Sequence, residues 1–152
     1  MSEKPKILII CTGNAARSQM AEALLQKIAG DEFDVYSAGT HPWVVRPGAI
    51  EAMAEEGIDI SQKRSKSVNE FLDRDIDYVL TVCDNARAEC PTFPRGKTVM
   101  HHAFEDPVYA EGDTTARKAA FRRVRDAIKS YLEDEFVPLI KQKENARRHS
   151  PL

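Results

Sequence analysis

Four consecutive apolar residues, Ile7-Leu8-Ile9-Ile10, stand directly before a stretch of small and polar residues at 11–18. A strand that is apolar at every position has no face to give to water. It therefore predicts a strand buried on both sides, as in a parallel sheet, and not the half-wet strand of a hairpin. A parallel neighbour needs a crossover, and the next segment supplies one. Met20, Ala21, Leu24, Leu25 and Ile28 recur at helical spacing over Arg17–Ala29, with Gly30 as the stop. The pattern then repeats. Residues 34–38 predict a second strand ended by Gly39. Residues 47–56 predict a helix with Pro47 in its first turn and Gly57 beyond its end. Residues 77–82 predict a third strand, 84–90 a short helix, and 98–101 a weaker fourth strand. Residues 114–132 predict a long helix with Phe121, Val124, Ile128, Tyr131 and Leu132 on one face, and Pro138 should end or kink its continuation. The expected fold class is α/β: a small doubly wound, four-stranded parallel sheet with helices on both faces, in one domain over residues 1–152. The polar, basic stretch 141–152 is expected to be a mobile tail.

Composition removes several classes of function. Twenty-two basic against 24 acidic residues leave a formal charge of -2, so a polyanion partner such as nucleic acid is not expected. No apolar run approaches the ~20 residues of a membrane helix, and the polar start before a four-residue apolar run makes no signal peptide. Three cysteines without such a signal point to a reducing cytoplasm, where cysteine is structural, metal-binding or reactive. Nothing demands more than a monomer.

The chemistry concentrates in Cys11-Thr12-Gly13-Asn14-Ala15-Ala16-Arg17-Ser18, at the carboxyl end of the first strand, where open α/β sheets place their ligands. Gly13 and Asn14 tolerate positive φ, so the loop can turn its N–H groups inward. Inward amides joined to a helix N-terminus make a cradle for an anion, formed from Thr12, Gly13, Asn14, Ala15, Ala16 and Arg17. The same field favours a thiolate at Cys11. Arg17 can grip a tetrahedral oxyanion in bidentate fashion, and Ser18 can donate a hydrogen bond to the Cys11 sulfur. Asn14 can also hold the loop's shape through its side chain.

Cys83 closes the third strand and Cys90 follows seven residues later. If the third strand neighbours the first, Cys83 and Cys11 share one sheet edge. Seven helical residues rise about 10 Å, whereas a disulfide needs Cα atoms within about 7 Å. Cys83 and Cys90 can therefore pair only if the helix between them loosens, which so short a helix permits. Two buried structural cysteines are the plain alternative. A zinc site lacks an evident ligand set, and His101-His102, adjacent on a strand, point to opposite faces and read as structural.

The segment 11–18 resembles the Cys-x5-Arg-Ser phosphate loop of the low-molecular-weight protein tyrosine phosphatases. Its continuation Gln19-Met20-Ala21-Glu22 is similar, more narrowly, to the arsenate reductases that share that fold, and the arrangement of Cys11, Cys83 and Cys90 resembles the thioredoxin-coupled ones among them. Ser37-Ala38-Gly39-Thr40, the stretch 54–61 and Phe104-Glu105-Asp106-Pro107 extend the resemblance over nearly the whole chain. It implies that Asp106 is a general acid, its direction partly preset by Pro107. It also implies a relay of three thiols. Cys11 attacks arsenate, Cys83 displaces arsenite as a Cys11–Cys83 disulfide forms, and Cys90 attacks Cys83. Thioredoxin then reduces the Cys83–Cys90 disulfide. No tightly bound cofactor is implied. A potassium ion at Asn14, Glu22 and Ser37 is implied by some relatives, with Asn69 standing where a carboxylate would complete that site. Three functions remain open. The leading one is arsenate reduction for detoxification, with phosphate or sulfate as competing oxyanions and thioredoxin, or else glutathione and glutaredoxin, as donor. A phosphatase needs only Cys11, Arg17 and Asp106, and a non-enzymatic oxyanion or redox sensor needs no acid.

Overall fold

The computed structural model describes residues 4–90 and 98–149. Strand β1 (Lys6–Cys11) lies inside a four-stranded sheet and is buried from Ile7 onward, as its unbroken apolar run requires. Its neighbours are β2 (Asp34–Gly39) on one side and β3 (Tyr78–Thr81) on the other, and β4 (Thr98–His101) forms an edge. All pairings are parallel in the order β2-β1-β3-β4, with Ile9 opposite Ser37 and Leu80, and Leu80 opposite Met100. The chain leaves β1 to build β2 on one flank and later returns to build β3 on the other. The loop after β1 therefore opens at the point where strand order reverses, the usual place for a ligand in such a sheet.

Helix α1 spans Arg17–Ala29, as its apolar spacing predicts, and buries Met20, Ala21, Leu24 and Leu25. Helix α2 (Pro47–Ala54) stops earlier than its sequence suggests. The chain turns out through Gly57, at φ 76°, and the Ile58 N–H returns to the Met53 carbonyl at 3.0 Å. Strand β3 is also shorter than expected: the Asp77 carboxylate accepts the Lys6 N–H at 2.8 Å instead of adding a residue to the ladder. Helix α3 (Asp84–Glu89) follows, and then α4 (Thr114–Tyr131), capped by Asp113, whose carboxylate accepts the Ala116 N–H at 2.9 Å.

Helix α4 packs on α1 and α2 through Phe121, Val124 and Ile128. The approach to α2 is tight: a Cβ at Gly48 would sit 2.4 Å from the Phe121 ring. Arg122 and Arg125 of α4 both reach Glu55 just beyond α2, at 2.7 and 2.8 Å.

Over residues 141–148 the structure corrects the expected mobile tail, whose last residues, 150–152, lie outside the described ones. After α4 a π-helical turn (Leu132–Phe136) widens the helix, and α5 (Val137–Arg148) continues it. The wider turn removes the clash and the missing hydrogen bond that Pro138 would impose on an unbroken α-helix. Residues 141–148 are helical because α5 has something to pack on. Ile140 is buried, and the buried Glu144 carboxylate accepts a short hydrogen bond from the Tyr78 hydroxyl. Arg147 adds contacts to Glu144 and Asp77. Polar composition hid a helix whose anchoring partner lies 66 residues away.

Candidate active site

The loop after β1 closes into a cradle around a cleft of about 230 Å³ lined by Cys11, Thr12, Gly13, Ala15, Ala16, Arg17 and Asp106, together with His41, Trp43, Val108 and Tyr109. Asn14 takes φ 48°, the only positive φ at a non-glycine residue among those described. Gly13 does not use its conformational freedom, contrary to its expected role, and a Cβ there would meet only ordinary contacts. The close approach belongs to Gly39 at the end of β2. A Cβ there would lie 2.6 Å from the Thr12 carbonyl oxygen and 2.9 Å from the Asn14 nitrogen, so the loop rests directly on β2 backbone.

Asn14 holds the curve from inside. Its side-chain NH₂ donates to Ser18 Oγ at 2.8 Å and Ser37 Oγ at 3.0 Å. Its Oδ1 accepts from Gln19 Nε2 at 3.0 Å and from the Lys66 N–H at 2.9 Å. Ser65 donates to the Asn14 carbonyl at 2.8 Å. The buried Gln19 and the 65–66 segment are thus loop supports that pattern reading missed. Only Gln19, a polar residue inside an apolar helical face, carried a signal. At the N-cap of α1, Ala16 offers no side-chain hydrogen bond, so the first amides of α1 are left to meet an anion.

Cys11 Sγ lies 2.8 Å from Ser18 Oγ and accepts the Asn14 N–H at 3.2 Å. Burial pushes the Cys11 thiol above its ordinary value. The Ser18 hydroxyl and amide and the Arg17 charge pull it back without reversing the direction. The groups that favour a thiolate are present, but desolvation outweighs them.

Arg17 reaches across the cleft, donating to the Phe104 carbonyl at 3.1 Å and to Asp106 Oδ2 at 3.2 Å. The other carboxylate oxygen of Asp106 accepts the Val108 N–H at 3.0 Å, and Asp106 itself is extended, as a residue before proline should be. Trp43 (61% exposed) and Tyr109 (81% exposed) stand at the mouth, with the Arg46 guanidinium 4.6 Å over the Trp43 ring. These aromatics were not anticipated as a pair, because 66 residues separate them in the chain.

Because β3 does neighbour β1, Cys83 reaches the same edge as Cys11. Its sulfur sits 3.3 Å from Thr12 Oγ1 and, as N-cap of α3, accepts the Ala86 N–H at 3.3 Å. Cys90 forms the other cap of α3, half-buried, with its thiol pushed up by burial. The structure brings Cys11 and Cys83 to one edge and keeps Cys90 at the opposite cap of α3 from Cys83.

Asn14, Glu22 and Ser37 do come together: Ser37 donates to Glu22 at 2.6 Å. The Glu22 carboxylate also faces two ammonium groups, Lys63 at 3.5 Å and Lys66 at 3.9 Å. With its negative charge met by lysines and the Asn14 oxygen accepting two N–H groups, this set does not fit a monovalent cation. Asn69 lies exposed, with its N–H on Ser67. Among the described residues no group of three metal-ligating side chains exists. His101 and His102 behave structurally. His102 stacks on Tyr131 at 4.0 Å, and His101 bridges Thr81 and Asp84.

An anion cradle, a buried thiol beside a serine and an arginine, a carboxylate across the cleft and two further thiols are the groups that attack on a tetrahedral oxyanion followed by thiol exchange calls for. Comparison with known proteins runs the same way. Residues 6–145 match the family model of low molecular weight phosphotyrosine protein phosphatases. An arsenate reductase of Halalkalibacterium halodurans is 47% identical over 125 residues, 82% of this chain and 90% of that protein. The solved structure of an arsenate reductase in its oxidized state superposes with a TM-score of 0.72 at 29% identity, over 85% of this chain and 94% of that one. A thioredoxin-dependent arsenate reductase of Corynebacterium glutamicum superposes with a TM-score of 0.64 at 31% identity, over 87% of this chain and 62% of that one.

Proposed function

This chain belongs to the low molecular weight phosphotyrosine protein phosphatase family, and within it we propose that it reduces arsenate to arsenite by a three-thiol relay recharged by thioredoxin. The observation that carries the reading is the placement of Cys83 and Cys90 on the two caps of α3, with Cys83 at the rim of the oxyanion loop. A phosphatase has no use for either.

Arsenate enters the cradle of backbone amides, and its charge draws Arg17 from Asp106. The Cys11 sulfur attacks arsenic, and Asp106, freed of its guanidinium, protonates the departing oxygen, which leaves as water. Ser18 stabilises the sulfur as nucleophile and later as leaving group. Cys83 then attacks the Cys11 sulfur. The electron pair of the sulfur–arsenic bond passes to arsenic, arsenite departs, and a Cys11–Cys83 disulfide remains. Cys90 attacks Cys83 as α3 unwinds, Cys11 leaves as a thiol, and thioredoxin takes up the resulting disulfide by exchange. Such a relay works only where thiols are kept reduced, so the protein acts in the cytoplasm. Every proposed group comes from one chain, which suits a monomer.

The test follows NADPH oxidation with thioredoxin and thioredoxin reductase, with and without arsenate. Cys11→Ser, Cys83→Ser and Cys90→Ser should each abolish multiple turnover, whereas Cys90→Ser still releases one arsenite per enzyme. Full turnover by Cys90→Ser would remove the third thiol from the relay. The aromatic mouth of Trp43 and Tyr109 supports a second, lesser activity on aryl phosphates, read by p-nitrophenyl phosphate hydrolysis that survives in Cys83→Ser and Cys90→Ser.

A further inference from the structure

Glu89 stands where helix physics disfavours it. It is the last residue of α3, and a carboxylate there faces the negative end of the helix dipole. The tertiary structure supplies a reason. Glu89 Oε2 lies 3.0 Å from His41 Nε2. His41 lines the oxyanion cleft, and its own backbone N–H donates to the Thr12 carbonyl at 2.8 Å. Cys90 follows Glu89 directly, so one histidine, through its imidazole on Glu89 and its backbone N–H on Thr12, ties the Cys90 end of α3 to the loop that carries Cys11. The opposite end is held in the same manner: Asp84, in the first turn, lies 3.0 Å from His101 Nε2.

We infer that the His41–Glu89 contact is a latch on α3 that sets the rate of the second thiol–disulfide exchange. The inference rests on the relay proposed above. In that exchange the Cys90 sulfur attacks Cys83, a Cys83–Cys90 bond forms and the Cys11–Cys83 bond breaks. The Cys90 proton is released and Cys11 takes one up, with no net change of oxidation state. Two sulfurs on opposite caps cannot bond while α3 is intact. Opening α3 from the Cys90 end must first part Glu89 from His41. Both act on the position of α3 and not on the exchange itself, so both are positioning residues.

Glu89→Gln separates this role from an effect on the helix alone. Removing a negative charge from the C-terminus of α3 strengthens the helix and slows its opening, whereas releasing a latch speeds it. Fully reduced protein is mixed with arsenate without thioredoxin, quenched with an alkylating agent, and analysed for Cys83–Cys90 peptide and for arsenite. In Glu89→Gln the Cys83–Cys90 disulfide should form roughly two- to fivefold faster, the range expected on weakening one contact between exposed side chains, with the arsenite burst unchanged. Amide hydrogen exchange across α3 in the reduced protein should accelerate by a similar factor. Adding His41→Gln to Glu89→Gln should bring no further acceleration of exchange. Unchanged or slower disulfide formation and exchange in Glu89→Gln, beside a normal arsenite burst, overturn the latch and leave the relay standing. A wild-type protein that releases no arsenite overturns the relay, while hydrogen exchange still decides the latch.

Discussion

Replacing Gly39 by alanine tests whether the oxyanion loop owes its shape to the strand beneath it. The added Cβ would lie 2.6 Å from the Thr12 carbonyl oxygen, 2.9 Å from the Asn14 nitrogen and 3.0 Å from the Gly13 carbonyl carbon. All three are backbone atoms, so no side chain can swing aside. Ordinary contact requires the loop or the end of β2 to retreat by about 0.4–0.8 Å. The retreat works against the parallel pairing of Cys11 with Gly39 and the 2.7 Å hydrogen bond from the Gly39 N–H to the Lys66 carbonyl. Overpacking of this kind costs about 1–3 kcal/mol, measurable as a shift in the urea midpoint. The larger consequence is chemical. A displacement approaching 1 Å in groups that position a reaction can remove about 10²-fold in rate, so kcat/KM for arsenate should fall roughly 10- to 100-fold in a protein that still unfolds cooperatively. Gly13→Ala supplies the contrast, because its Cβ meets nothing closer than the Ala15 methyl at 3.4 Å; its effect should be smaller. A Gly39→Ala protein with wild-type kcat/KM and a stability loss under ~0.5 kcal/mol would refute the claim that β2 shapes the loop.

Three further outcomes follow from other parts of the molecule. Arg17→Lys keeps the charge but loses the planar fork, and should lower kcat/KM for arsenate by about 10²-fold or more with little change in thermal stability. Because burial raises the Cys11 thiol, its alkylation by iodoacetamide should keep accelerating above pH 9.0, and Ser18→Ala, which deletes a lowering hydrogen bond, should move that rise further upward. Glu55 and Glu70 are held at about 2 by hydrogen bonds, Glu55 from Arg122 and then Arg125, Glu70 from Arg64. Their folded values lie below the unfolded 4.5, so their stabilising contribution is present above that pH and is lost as pH falls through about 2. The difference in Tm between wild type and Glu55→Gln should therefore shrink across that window, and a difference that persisted below it would point to packing instead of charge.

Much of the architecture was legible because it is local. The apolar run at Ile7–Ile10, the helical spacing over Arg17–Ala29 and the small residues between them are each decided by neighbours within a few positions. The nucleophile, the arginine and the serine fall within one loop, and Asp-Pro presets its own backbone, so their chemistry could be read from residue type and spacing. The resemblance to a known family added the order of the relay.

What remained hidden involves partners distant in the chain. Pro138 reads as a terminator until a π-helical turn accommodates it, and the polar stretch after Lys141 reads as a tail until Tyr78 receives Glu144. Glu22 looks like a ligand for a cation until Lys63 and Lys66 arrive from another loop. Arg17 meets Asp106 across 89 positions, and His41 meets Glu89 across 48. The elements, their order and the chemical groups of the site are written in the order of residues, because backbone sterics and hydrophobic periodicity act over short stretches. Folding in three dimensions set which charges face each other, how deeply Cys11 is buried and which side chain meets Glu89 at the end of α3. Desolvation and Coulomb energy depend on distance through space, and chain separation does not encode that distance.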